Sequence, residues 1–156
     1  MIKNIKKVAV LGSGIMGSGI ACHLANVDME VLLLDMVPRD KESETDKNKR
    51  NSLVDSSLKN SVKSKPSPLF INSKLKNITT GNFTDDFEKI KDYDWIIEVV
   101  VERLDIKKII FEKVDQFRKE GSLVSSNTSG IPINSMLENR SEDFKKHFFG
   151  SHFFNP

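Results

Sequence analysis

Lys7-Val-Ala-Val-Leu-Gly-Ser-Gly-Ile-Met-Gly-Ser-Gly-Ile-Ala21 is the stretch whose reading decides the fold. Val8 to Leu11 is apolar, rich in β-branched residues, and stops at Gly12, the pattern of a buried strand. Glycines 12, 14 and 17 then follow at G-x-G-x-x-G spacing, and Ile20, Ala21 and Leu24 continue at helical spacing. Each glycine has its own task. Gly12 allows a tight turn, Gly14 lets the backbone approach a pyrophosphate, and Gly17 lets the helix pack closely on the strand. The amides that open the helix, at its positive dipole end, then face the phosphates.

A second strand, Val31 to Leu34, ends in Asp35, 18 residues after Gly17. An acid at roughly 20 residues from the glycines is placed to accept hydrogen bonds from the adenosine ribose. A carboxylate there suits a ribose diol and repels a 2′-phosphate, so the expected cofactor is NAD rather than NADP. Arg39, the one nearby residue that argues otherwise, is expected on a solvated loop.

The bulk numbers fit one domain. A chain of 156 residues buries about 70% of the surface its unfolded form exposes. Hydrophobic content of 38% and charged content of 29% are those of a globular protein. A net charge of +2 offers nucleic acid no basic field, and no apolar run approaches the ~20 residues of a membrane span. The first residues lead straight into a strand, so no targeting peptide is expected. The single Cys22 excludes an internal disulfide and fits a reducing, cytoplasmic setting; it reads as packing inside the first helix. No metal is expected.

Along the chain, the first helix should end near Asn26, with Asp28 accepting a left-handed turn. Leu53, Val54, Leu58 and Val62 allow an amphipathic helix over about 48–64. Six basic residues and one acid, Asp55, lie between Lys47 and Lys65; they read as a solvated face or as counter-charge for an anionic substrate tail. Pro66 and Pro68 break that helix. A short strand at Ile78 to Thr80 and a small helix from Asp85 through Ile90 come next. Asp94 to Val101 reads as a buried strand with Trp95 in the core. Ile106, Ile109, Ile110, Val114 and Phe117 give a helical stripe with Asp105 as a possible cap. Gly121 precedes a strand over 122–126, a loop leads to a short helix at about 133–138, and His147 to Phe154 reads as a last strand. Strands alternating with helices specify an α/β fold, a doubly wound, mostly parallel Rossmann-type sheet, with the ligand at the strands' carboxyl ends.

Other chemistry-bearing residues fall at those ends. Glu98, inside an apolar strand, must be hydrogen-bonded or at the cleft rim; Glu102, just beyond, is better placed to meet a ribose, and Lys107 alone reads as surface. Asn127-Thr-Ser129 could orient a polar substrate or simply cap its loop. His152 could exchange a proton near neutral pH, or be a core histidine between phenylalanines. His23 and His147 have no surroundings that suggest chemistry.

Taken together, Gly12 to Ala21, Leu34-Asp35, Ile97-Glu-Val-Val-Val-Glu102, Ser126-Asn-Thr-Ser129 and His152-Phe-Phe-Asn-Pro156 make the chain resemble the NAD-binding domain of the 3-hydroxyacyl-CoA dehydrogenases of fatty-acid β-oxidation. The segment after Asp35 and Lys65-Pro-Ser-Pro68 look most like the large bacterial members that carry a hydratase-like region further on. The resemblance implies an acyl-CoA substrate and NAD held by Gly12, Gly14, Ile15, Met16, Gly17, Asp35, Glu102, Lys107 and Ser129. His152 would be the general base on the 3-hydroxyl as hydride leaves for the nicotinamide, with Ser129 and Asn155 hydrogen-bonding substrate or cofactor. In that family a glutamate beyond the Asn-Pro orients the histidine, and a following helical domain closes the cleft and dimerises. Five of the ten phenylalanines lie in the last 13 residues, a surface made to be covered. The chain is therefore expected to be the cofactor-binding part of a larger, homo-oligomeric enzyme, binding NAD but turning over poorly alone. The competing readings are a Rossmann dehydrogenase for another small hydroxy acid, against which His152-Phe-Phe-Asn-Pro156 argues, and a non-catalytic NAD-binding module.

Overall fold

The computed structural model describes residues 4–154. Six strands form one parallel sheet: β1 (Lys7–Leu11), β2 (Glu30–Asp35), β3 (Ile78–Asn82), β4 (Trp95–Glu98), β5 (Leu123–Ser126) and β6 (Phe148–Gly150). Their spatial order is β3-β2-β1-β4-β5-β6, and every neighbouring pair is parallel. Chain direction across the sheet therefore reverses between β1 and β4, and the crevice at the carboxyl ends of these two strands is where such sheets bind ligands.

Strand residues are apolar on both faces because both faces are covered. Val8, Val10, Val31, Leu33 and Ile97 point to one side. There they meet α1 (Ile15–Asn26) and α3 (Ser52–Lys63). Ala9, Leu11, Leu32, Leu34, Ile96 and Val124 point to the other, where Phe111, Val114 and Phe144 come from α4 (Leu104–Phe117) and α5 (Glu142–His147). Asp28 takes the expected left-handed turn at φ 64°, and the first helix ends where the sequence puts it.

Several local expectations need correction. The helix expected over 48–64 is two helices, α2 (Lys47–Arg50) and α3, because Asn51 is drawn into a buried hydrogen bond with Asn82. The segment at Asp85 to Ile90 is a 3₁₀ turn, Phe87–Asp92, and a second 3₁₀ turn covers only Ile133–Met136. β4 stops at Glu98: Val99 still donates to the Leu11 carbonyl, but the Glu98 side chain takes the Val100 amide and bends the chain away. Trp95 is only half buried, its indole N–H donating to Ser125. Asp105 is not the cap of α4; it lies in the first turn, paired with Arg103. Ile109, counted in the stripe, is exposed. The last strand is shorter than expected and is preceded by α5, whose Ser141 hydroxyl accepts from the Phe144 amide. Among the described residues no helix is long and apolar enough to cross a membrane.

Candidate active site

At the end of β1 the chain turns through Gly12 at φ +111°, a conformation that side chains rarely adopt. A Cβ there would lie 2.5 Å from the Val99 carbonyl oxygen, so the turn passes directly over the residue that follows β4. Gly17 is tighter still: its Cβ would stand 1.8 Å from the Gly12 carbonyl oxygen, which fixes α1 against β1 at backbone contact. Gly14 differs from both. A Cβ on it would meet nothing within 4 Å, and it serves as the N-cap of α1 without a side chain to offer the first amides. The opening amides of a helix have no intrahelical acceptor, and the first turn carries no acid. Open space, donor amides and a positive dipole end coincide where a diphosphate would rest.

Asp35, at the end of β2, is brought to this turn. Its Oδ2 accepts from both the amide and the hydroxyl of Ser13 at 2.6 Å, and its Oδ1 accepts from the Met36 amide at 2.7 Å. A carboxylate offers about four acceptor positions, so this one is held in place with capacity left for a ribose hydroxyl. Arg39 is exposed on the following loop, as expected. Ile15 is exposed and Met16 half buried, on the open side of the turn.

The group formed by Glu98, Lys107 and Glu102 has the opposite character. Lys107, which alone read as surface, is 1% exposed and Glu98 is fully buried. The Lys107 ammonium donates to Glu98 Oε1 at 2.7 Å and lies 3.2 Å from Glu102. Glu98 also accepts from the Val100 amide at 2.8 Å and from the Ser126 hydroxyl, so its burial is fully compensated. Glu102, half exposed, accepts from the Thr128 hydroxyl and from the amides of Ser129 and Gly130 at 3.1 Å. Partial burial pushes the Glu102 carboxyl up, but Thr128, the Gly130 amide and Lys107 more than offset it and hold it down at about 2. Lys107 thus offers a ligand almost no surface; it fixes Glu102, and Glu102 fixes the loop that carries Ser129.

Ser129 and His152 line one shallow cleft of about 430 Å³ together with Gly130, Ile133 and Ser151. His152 is exposed, not a core residue; its ring contact is an edge-on Phe154 at 4.8 Å. Asn155, the other expected substrate contact, lies outside the described residues. His23 lines a separate groove beside Pro66 and Phe70, and His147 closes α5 with its Nδ1 near the Asp143 carbonyl. Of the basic residues between 47 and 65, Lys47, Lys49 and Arg50 are taken by Asp86, Glu44 and Asp85. Lys59, Lys63 and Lys65 are exposed, and no ion pair engages them among the described residues.

Sequence reasoning missed Ser13 and the pairing of Glu98 with Lys107. Ser13 stands inside the glycine run, and a hydroxyl between two glycines facing a strand-end acid was the available signal.

The features just described recur in known proteins. Residues 7–156 match the family model described as 3-hydroxyacyl-CoA dehydrogenase, NAD binding domain. A probable 3-hydroxyacyl-CoA dehydrogenase of Bacillus subtilis is 55% identical over 164 residues, spanning 100% of this chain and 21% of that protein. One from Deinococcus radiodurans is 44% identical over 152 residues, covering 97% of this chain and 42% of its own length. Among solved structures, (S)-3-hydroxybutyryl-CoA dehydrogenase from Ralstonia eutropha superposes with a TM-score of 0.69 at 29% identity, over 97% of this chain and half of its own. The chain thus spans between a fifth and two fifths of the curated relatives it matches here. With a sheet order, a glycine turn and a strand-end acid that all agree with the match, the chain belongs to the NAD-binding-domain family of the 3-hydroxyacyl-CoA dehydrogenases.

Proposed function

We propose that residues 1–156 are the cofactor-holding domain of a larger enzyme that oxidises 3-hydroxyacyl-CoA to 3-oxoacyl-CoA. The observation that carries this reading is the side-chain-free start of α1, open at Gly14, with Asp35 anchored beside it by Ser13. NAD supplies the hydride acceptor when bound. Gly12, Gly14 and Gly17 shape the turn, the opening amides of α1 at Ile15 and Met16 hold the diphosphate, and Asp35 holds the adenosine ribose. Glu102, steadied by Lys107 and holding the Ser129 loop, would contact the cofactor towards its nicotinamide end. His152 takes the proton from the substrate's 3-hydroxyl in oxidation and returns it, as imidazolium, in reduction; Ser129 and Asn155 orient the reacting oxygen. Of the basic residues between 47 and 65, Lys59, Lys63 and Lys65, with no ion pair among the described residues, would meet the phosphates of coenzyme A.

Among the described residues no carboxylate touches the His152 ring, so the domain by itself binds NAD and turns over poorly. Closure of the cleft and self-association belong to sequence beyond Pro156. A cytoplasmic setting agrees with Cys22, whose thiol is buried and pushed up to about 11 by that burial. The test uses the complete polypeptide: NADH-dependent reduction of acetoacetyl-CoA, wild type against His152→Gln. The rate should fall roughly 10²–10⁴-fold while calorimetric NADH affinity stays unchanged. A wild-type rate in the variant removes His152 from the chemistry, and failure of residues 1–156 to bind NADH removes the cofactor reading.

A further inference from the structure

The stretch from Gly150 to Phe154 continues beyond the sheet, yet it is held. In a parallel ladder the amides of one strand donate to its neighbour at every second residue. β6 pairs with β5 in the register Val124 with Phe148 and Ser126 with Gly150, and the Ser151 amide donates to the Ser126 carbonyl at 3.0 Å. Two residues on, the Phe153 amide should find the Thr128 carbonyl. It does not, because Glu102 draws Thr128, Ser129 and Gly130 into their own loop. The Phe153 amide donates instead to the side-chain oxygen of Asn127, at 2.7 Å. Asn127 is tied in turn to the middle of the sheet, its own amide donating to the Glu98 carbonyl at 2.9 Å.

We infer that Asn127 is a positioning residue for His152, its Oδ1 standing in for the strand carbonyl that the loop withdraws. The residue between Ser151 and Phe153 is His152, so its backbone is pinned on both sides, by Ser126 on one and Asn127 on the other. An amide side chain has the reach and the acceptor for this task and brings no charge to the segment whose imidazole must change its own. The inference rests on the reading of His152 as the base.

The experiment compares Asn127→Ala, Asn127→Asp and His152→Gln in the complete polypeptide, by acetoacetyl-CoA reduction and by amide hydrogen exchange of the segment 148–154. Asn127→Ala should lower kcat about 10²-fold, the scale of a catalytic group displaced by an ångström. It should leave the KM for NADH unchanged and speed exchange at Phe153 while Ser151 stays protected. Asn127→Asp keeps an acceptor for the Phe153 amide. It should restore most of kcat at its optimum, with the alkaline limb of the pH profile moved upward, because reduction uses the imidazolium and a carboxylate favours it. A wild-type kcat in Asn127→Ala beside a dead His152→Gln overturns the inference and leaves the base assignment standing. A full rate in His152→Gln overturns the base assignment, and a slow Asn127→Ala then acts by another route, which overturns the inference too. Loss of NADH binding or of protection along all of 148–154 in Asn127→Ala marks a general structural role and overturns it as well.

Discussion

Replacing Lys107 with methionine is the sharpest test of how the site is built. The ammonium removed is 1% exposed and sits 2.7 Å from a Glu98 carboxylate that is fully buried. After the change Glu98 keeps the Val100 amide and the Ser126 hydroxyl as donors but has lost its counter-charge. Breaking a buried pair from one side costs about 3–5 kcal/mol, against a total stability of roughly 5–15 kcal/mol. At about 2–4 °C per kcal/mol for a chain of this size, Tm should fall by about 6–20 °C. Urea denaturation of residues 1–156, followed by far-ultraviolet circular dichroism, reads the loss directly. The double variant Glu98→Gln/Lys107→Met should be more stable than Lys107→Met alone, because no buried charge is left without a partner and the amide still serves Val100 and Ser126. A loss below about 1 kcal/mol, the value of a solvent-exposed pair, would refute the claim that this pair is sealed from water.

Three further outcomes follow from other contacts. Gly17→Ala places a Cβ 1.8 Å from the Gly12 carbonyl oxygen and should cost about 1–3 kcal/mol or more through overpacking, with NADH affinity lost in calorimetry; a variant that binds normally contradicts the packing described. Asp35→Asn keeps an acceptor for Ser13 but removes a like charge facing a 2′-phosphate, an effect of about 1–4 kcal/mol at such separations, so the affinity for NADPH relative to NADH should rise tenfold or more. At Asp94 burial pushes the carboxyl up, but Lys119 and the amides of Lys6 and Lys7 more than offset it and hold it at about 2, below its ordinary 3.8. A depressed carboxylate stabilises the fold above its ordinary value and loses that contribution as pH falls towards about 2. Asp94→Asn should therefore flatten the decline of Tm between pH 3.8 and about 2, and an unchanged slope would show that this group does not drive it.

The glycine turn, the strand-end acid and the alternation of elements were legible because each is local, set by residues a few positions apart. Asp35 came to rest beside the turn for the same reason: β1 and β2 are adjacent, and one helix separates them. What the sequence hid lies between elements. Lys107 interrupts an apolar stripe like any surface lysine, and only the meeting of α4 with the end of β4 shows that Glu98 is waiting for it. Glu98 likewise ends β4 early by capturing Val100, which no count of apolar residues reveals. The division of the helix expected at 48–64 comes from Asn82, 31 residues away. α5, like Ser13, was a local signal overlooked. Ser141 precedes Glu142 and Asp143, with Lys145, Lys146 and His147 in the last turn, a charge order that suits a helix dipole. For His152 the phenylalanine neighbours left a core position open beside a proton-exchanging one; it is exposed, because alternation along an extended chain sends successive side chains to opposite sides.

The backbone contact between Gly17 and the Gly12 carbonyl bears on kinetics. Helix and strand locked at that distance give the loop between them no slack, so the donor dipoles above it are already arranged in the empty molecule. A dinucleotide reaching such a spot waits for no reshaping; encounter and capture merge into a single event whose speed tracks the newcomer's concentration. Discrimination among related nucleotides then falls to how soon each departs.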